Sequence, residues 1–328
     1  MQNIMLAFAA AFAMTAVIGP YTIRTLQKMK FGQKILEIGP KWHMSKQYTP
    51  TMGGIMFIIP ITIATALLGI GAMKEGNYSH IAVLCLALAF GFIGFIDDYT
   101  KIAKKQNQGL TALQKLLLQI IIAVVFIIVL RQMGYVNPHL YIPFFNVYIS
   151  TSWTFFIPFS AFIIVGGVNA VNLTDGIDGL ASGVTLPVAV FFAVSAVLMK
   201  IPEVSVFAAA LAGGICAFLI YNFNPAKVFM GDTGSLFLGG AVCGLAFATD
   251  MPVILVIVGA VYVIETLSDI IQVLYFKLSG GKRIFKMAPI HHHFEMCGWS
   301  EKKIVFIFAG ITIVLCVIGY IGILGRVL

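Results

Sequence analysis

The chain has 328 residues, 60% of them hydrophobic and only 10% charged, with a mean hydropathy of +0.98. Soluble globular domains carry about 25% charged residues, so this composition excludes one and describes an integral membrane protein. The formal charge of +8 then reports orientation in a membrane and not affinity for nucleic acid.

A spanning helix needs about 20 mostly apolar residues. Ten segments meet that condition in chain order: 3–26, 52–73, 80–96, 115–133, 153–171, 181–199, 204–221, 234–249, 253–276 and 303–325, the third and eighth being short. The first lacks the basic n-region of a signal peptide and reads as a membrane helix. The runs are continuously apolar instead of alternating, so the expected fold is an all-α bundle, one polytopic domain over 1–328.

Ten spans put both termini on one side. Of the 21 Lys and Arg, only Lys74, Arg131, Lys200 and Arg326 share that side. The positive-inside rule therefore makes loops 27–50, 99–114, 172–180, 222–233 and 277–302 cytoplasmic and both termini extracytoplasmic. Residues 134–152 become an external loop, in which "GYVNPHLYIPFFNVYIS" reads as a small hairpin or an interfacial segment. The five cysteines show no paired spacing, which predicts neither a disulfide framework nor a zinc knuckle.

The 13 acidic residues are not scattered. Asp97 and Asp98 end the third span, Asp175 and Asp178 follow the fifth, and Asp232 follows the seventh. Asp269 sits toward the cytoplasmic end of the ninth, with Glu265 one turn deeper. Carboxylates at membrane depth are costly and usually face a cavity or a partner. Any one Asp at a helix end is equally explained as an N-cap. The set is not, because "IDD", "TDGIDG" and "MGDTGS" group acids with glycines and hydroxyls. Clustered carboxylates need a cation among them, and hard oxygen ligands suit Mg²⁺. The spacing at 175–179 excludes an EF-hand.

Glycine-rich turns at 49–56, 174–183 and 230–240 let a backbone approach phosphate. Lys46, Lys101, Lys104, Lys105, Lys227, Lys282, Arg283 and Lys286 surround the acids. Fixing topology accounts for most of them, and Lys46 and Lys101 stand closest to the motifs. Together these residues predict Mg²⁺-dependent phosphoryl transfer at the cytoplasmic face, from a soluble phosphorylated substrate to a lipid. The competing reading is a cation- or proton-coupled transporter. Against it, the acids crowd one face and no inverted repeat is visible.

The run "IHHHFE" holds three of the chain's six histidines. Its internal position argues against a tag, and the absence of H-E-x-x-H argues against a zinc enzyme. Glu295 and Cys297 beside it leave a metal site as the alternative. Loop 277–302 is long for a compact bundle, which predicts a folded functional segment.

The stretches "KQYTPTMGG" (46–54), "GFIDDYTK" (94–101), "QGLTALQK" (108–115), "NAVNLTDGIDGLA" (169–181), "NFNPAKVFMGDTGSL" (222–236) and "APIHHHFE" (288–295) resemble, in this order, the polyprenyl-phosphate N-acetylhexosamine-1-phosphate transferases. "TPTMGG" and the triple histidine resemble the muramoyl-pentapeptide branch. That resemblance implies transfer of phospho-MurNAc-pentapeptide from UDP-MurNAc-pentapeptide to undecaprenyl phosphate in the bacterial plasma membrane, giving lipid I and UMP, with Mg²⁺ required and a homodimer as the assembly. It implies catalytic roles for Asp97, Asp98, Asp232 and His291, and Mg²⁺ ligation by Asp232 and Asp175. Lys46, Thr51, Lys101, Asn172, Asp175, Asp178, Asn222 and Gly231 would bind substrate. Phe229 would stack on uracil, Gln272 and Ala288 would border the nucleoside and sugar, and His291, His292 and His293 would roof the diphosphate. Tyr48 stands where the family pattern has glycine, which puts the local loop conformation in question. A sister enzyme using UDP-GlcNAc is the nearest alternative.

Overall fold

The computed structural model describes residues 1–29, 46, 49–104, 106 and 108–327; Tyr48 and Lys105 lie outside the described residues. Thirteen α-helices and one two-stranded sheet make up the described regular structure, apart from a short 3₁₀ turn. They are α1 (Gln2–Lys28), α2 (Ile55–Leu68), α3 (Ile70–Lys74), α4 (Ser79–Ala103), α5 (Ala112–Gln132), β1 (His139–Ile142), β2 (Val147–Ser150) and α6 (Trp153–Thr174). The second half holds α7 (Leu180–Leu198), α8 (Pro202–Asn222), α9 (Gly231–Ala248), α10 (Leu255–Val258), α11 (Ala260–Leu278), α12 (Ile290–Met296) and α13 (Glu301–Val327).

Local chemistry sets several helix starts. At α5 the Thr111 hydroxyl accepts from Gln114 N while the Gln114 side chain accepts from Thr111 N, a reciprocal capping box. Ser152 caps α6 through Phe155 N, and Pro202 opens α8, where its missing N–H costs nothing.

Among the described residues eight helices are long and apolar enough to cross a membrane: α1, α4, α5, α6, α7, α8, α9 and α13. The chain is a multi-pass membrane protein. The other two expected segments are helical but not simple rods. Segment 52–73 is a 14-residue helix, α2, that breaks at Gly69 before α3. A side chain at Gly69 would collide with the ring of buried His80. Segment 253–276 is bent by 79° between Pro252–Val258 and α11. Apolarity marks a span; it does not reveal where glycine lets the axis turn.

Helices α8 and α9 are almost wholly buried, while α1, α5 and α13 present large apolar side chains outward. Helix α4 runs along α9, α1 along α8, and α7 lies between α8 and α13. Lipid is as apolar as leucine, so helix association in a membrane relies on close backbone approach at small residues. Gly213 of α8 abuts the Phe8 carbonyl, and Gly240 of α9 abuts Ala87 of α4.

Of the two readings of residues 134–150, the hairpin is present, with register His139↔Ser150 to Ile142↔Val147. It is latched to two other elements. His139 Nε2 lies 2.8 Å from Asp250 Oδ2, Arg326 reaches the Asp250 carbonyl at 2.7 Å, and Phe144 N donates to the Gly322 carbonyl at 2.8 Å. Burial raises the Asp250 pKa, with His139 and Arg326 opposing the shift. Met1 lines one cavity with Lys200 and Ala248, so α1 begins and α13 ends at this hairpin end of the bundle. Asp97, Asp98 and Asp232 gather at the other end.

Candidate functional site

The site is built on the α4–α9 contact. At Gly94 the two backbones approach so closely that a β-carbon would strike the Asp232 carbonyl. One turn further along α4 stand Asp97 and Asp98, both buried, facing the first turn of α9. Gly231, at φ +69, supplies the left-handed turn that starts that helix, a conformation L side chains rarely adopt. Carboxylate oxygens of Asp97, Asp98 and Asp232 then lie within 4.8 Å of one another.

Each carboxylate has different work. The Asp98 carboxylate accepts from Asp232 N (3.2 Å), Thr233 N (2.9 Å) and Thr233 Oγ1 (2.7 Å). It thus caps α9 from a neighbouring helix, where Met230 offers no side-chain cap. Asp97 accepts from Leu110 N at 2.8 Å, which fixes the turn into α5, and pairs with Lys101 at 2.6 Å. Asp232 is the shared centre. Lys101 and Lys115 reach its Oδ2 at 3.1 and 2.8 Å, and Asn172 Nδ2 donates to its Oδ1 at 2.9 Å. Asn172 also donates to Ser235 Oγ at 2.7 Å. Lys115, at the start of α5, had no assigned role in the sequence reading, although its stretch 108–115 was singled out there.

Asp175 ends α6, half-buried, and is not one of the three carboxylates that converge. It is near enough to feel them. Desolvation first, then the charges of Asp232, Asp98 and Asp178, push its pKa well up.

Asp178 and Lys46 meet elsewhere, in a separate network. Lys46 Nζ lies 2.7 Å from Asp178 Oδ1 and 2.6 Å from Glu301 Oε1, while Asp178 Oδ2 accepts from Asn224 Nδ2 and Ala226 N at 3.1 and 2.9 Å. This knot ties residue 46 to α7, α13 and the α8–α9 turn. Nothing in the sequence pattern singled out Glu301. The segment "TPTMGG" is fastened to "VFMGD" by Phe229 N to the Pro50 carbonyl and Gly53 N to the Phe229 carbonyl, each 2.8 Å. Buried Thr51 sits against Gly231, and Phe229 keeps a half-exposed ring. Asn222 spends its amide inside the fold, accepting from Ser182 and donating to the Val228 carbonyl at 3.0 Å.

Loop 279–300 is folded. Gln272 accepts from Ile284 N and Phe285 N at 3.1 and 3.0 Å and donates to the Phe285 carbonyl, so its amide anchors the loop. Half-buried Ala288 precedes Pro289, from which α12 starts. The three histidines take different partners, although the His291 and His292 rings touch, with centroids 4.1 Å apart. His291 is buried against Glu265, with Nδ1 and Oε2 2.8 Å apart. His292 pairs with Glu295 at 2.6 Å, and His293 accepts from Lys286 N at 3.1 Å. Glu295 is thus engaged by His292, and Cys297 lies 3.8 Å from His293.

The sequence profile of Glycosyl transferase family 4 matches residues 80–250, which include Asp97, Asp98, Asp175 and Asp232. Residues 46–58, from Lys46 through "TPTMGG", match the phospho-N-acetylmuramoyl-pentapeptide-transferase signature 1. A Clostridium botulinum protein of that name is 48% identical over 322 residues, covering 98% of this chain and 96% of its own. The chain belongs to the phospho-N-acetylmuramoyl-pentapeptide-transferase family. Other relatives of the same name include one from Acetivibrio thermocellus, 46% identical over 95% of this chain and 93% of its own, and one from Bacillus cytotoxicus, 44% identical over 98% of each. In this family member the three converging carboxylates, both lysines on Asp232 and Asn172 form one polar centre at the ends of α4, α5, α6 and α9. Lys46, Asp178, Asn222, Gln272 and His293 are not among its members and instead fasten loops.

Proposed function

We propose that the protein transfers phospho-MurNAc-pentapeptide from UDP-MurNAc-pentapeptide to undecaprenyl phosphate, releasing UMP and forming lipid I. The observation that carries this reading is the meeting of Asp97, Asp98 and Asp232 within 4.8 Å, bracketed by Lys101 and Lys115, at the ends of apolar helices. A centre at that depth serves a polar donor and a lipid acceptor at once. The centre belongs, on this reading, to the cytoplasmic face of the bacterial plasma membrane, a side favoured by the Lys- and Arg-rich loops near it.

The residues fit Mg²⁺. Three carboxylates converge against two ammonium groups, so acidic oxygen ligands outnumber their cations where two phosphorylated, anionic substrates must meet. Oxygen-only ligands are the set Mg²⁺ favours. Asp232, Asp97 and Asp98 would hold the ion, with Asp175 adjoining, and bound Mg²⁺ supplies neutralisation of charge on the transferring phosphoryl group.

Lys101 and Lys115 move from Asp232 onto non-bridging phosphate oxygens as substrate enters, which keeps the charge balance of the centre. Asn172 holds Asp232 in its rotamer from the other oxygen. The half-exposed Phe229 ring stacks on uracil, and His291 and His292 roof the diphosphate. The acceptor is a phosphate monoester whose second pKa is about 6, so it arrives mostly dianionic and needs no general base. Direct in-line attack follows, without a covalent aspartyl intermediate.

Purified protein incubated with undecaprenyl phosphate, Mg²⁺ and either UDP-MurNAc-pentapeptide or UDP-GlcNAc tests the reading by UMP release. Release with the first and not the second is expected, stopped by EDTA. Release only with UDP-GlcNAc would overturn the substrate assignment, and release undiminished by EDTA the metal.

A further inference from the structure

Glu265 lies in the first half of α11, fully buried, within the bent apolar segment Pro252–Leu278. An ionised carboxylate at membrane depth is too costly to keep without a partner and a purpose. Its partner is His291, also fully buried, whose Nδ1 lies 2.8 Å from Glu265 Oε2. The far atoms of the pair, Glu265 Oε1 and His291 Nε2, have no hydrogen-bond partner among the described residues. Nε2 points at Gly176, where any β-carbon would collide with the imidazole. Gly176 sits between Asp175 and Ile177 on the turn that borders the carboxylate centre.

We propose that Glu265 is a positioning residue for His291: it takes up Nδ1 and so presents Nε2 to the 175–178 turn, as a donor to the diphosphate of the bound nucleotide. This rests on the placement of His291 over the diphosphate in the reading above. The hydrogen bond at one ring nitrogen decides what the other can do. With Nδ1–H given to an ionised carboxylate, Nε2 donates only when the ring carries a second proton, and Glu265 supplies the compensating negative charge. The pair is then neutral as a unit and its outer N–H faces anionic oxygen. Without Glu265 the ring loses both the anchor that sets its orientation and the charge that supports this form. The glycine at 176 lets the turn lie directly against the imidazole, since a β-carbon there would overlap the ring.

A simple structural staple between α11 and α12 would show the same distance, so the test must separate orientation from stability. Glu265→Gln, Glu265→Ala, His291→Ala and the Glu265→Ala/His291→Ala double variant are purified, and UMP release is measured over a range of UDP-MurNAc-pentapeptide, with thermal melting of each. Glu265→Ala is expected to lower kcat 10–100-fold, the usual range for removing a group that orients a functional imidazole, with KM little changed. Glu265→Gln, which keeps an acceptor of similar size but loses the charge, falls between; it also serves if the alanine variant does not fold. In the His291→Ala background the Glu265 substitution produces no further loss, because its effect passes through the ring. Independent, additive losses in the double variant would overturn the proposal. So would full turnover in Glu265→Ala beside a slow His291→Ala. Full turnover in His291→Ala would instead remove His291 from the site and take both readings with it.

Discussion

Replacing Asp98 by asparagine separates its structural task from its chemical one. The carboxylate uses both oxygens: Oδ1 accepts from Asp232 N, and Oδ2 accepts from Thr233 N and Thr233 Oγ1. Asparagine offers one acceptor oxygen, so its amide nitrogen must face a backbone N–H in a buried place. An unmet buried donor costs about 1–3 kcal/mol. Loss of negative charge at the α9 N-terminus adds about 0.3–1 kcal/mol. Relief of repulsion between Asp98 and Asp232 returns about 1 kcal/mol, leaving a net loss of about 0.3–3 kcal/mol. At roughly 2–4 °C per kcal/mol for mid-sized chains, melting should drop by about 1–12 °C. Asp97→Asn is the control, since its Oδ1 still accepts from Leu110 N and only the Lys101 pairing is weakened. Lys101 keeps Asp232 as a partner, so that change should cost less than the loss of the cap. The assay is thermal melting in detergent at fixed scan rate with EDTA present, followed by tryptophan fluorescence. Equal melting of Asp98→Asn and wild type, or a larger drop for Asp97→Asn, would refute the cap.

Asp175→Asn should raise the melting temperature in EDTA, and raise it more at pH 8 than at pH 5, while lowering UMP release. The sign follows from the raised carboxyl pKa: the folded wild type loses stability as pH climbs from the unfolded value through the raised one, and asparagine has no proton to lose. Lys115→Met should cut UMP release by about 10²-fold through loss of one cationic donor on Asp232 while the melting temperature holds. Arg326→Ala releases the hairpin latch at Asp250 and its stacking over Tyr141, so melting should fall with UMP release unchanged at 25 °C.

The readable part of this fold was what depends on composition along one segment. Apolar runs marked where helices lie, the stretch 134–150 allowed a hairpin or an interfacial segment, and acids paired with glycines marked the ends of α4, α6 and α9. What stayed hidden depends on which face of one helix meets another. Lys115 lies 117 positions from Asp232 in sequence and meets it only because α5 starts where α4 ends. Glu301 reads as an ordinary charge at a helix start, yet it holds Lys46. Glu265 was visible as a deep carboxylate, but its imidazole partner arrives from a loop that folds back. Conversely, Asn222 and Gln272 have the chemistry of ligand-binding amides, and the fold spends both on backbone groups. A residue type states what bonds are possible; packing decides with whom.

The most direct test of a phosphoryl-transfer centre at Asp232 is the turnover of Asp232→Asn with UDP-MurNAc-pentapeptide, undecaprenyl phosphate and saturating Mg²⁺. Asparagine keeps the shape and one acceptor oxygen while removing the charge that Lys101 and Lys115 share. The account predicts a fall in UMP release of at least about 10²-fold with the protein still folded. A rate indistinguishable from wild type would contradict it.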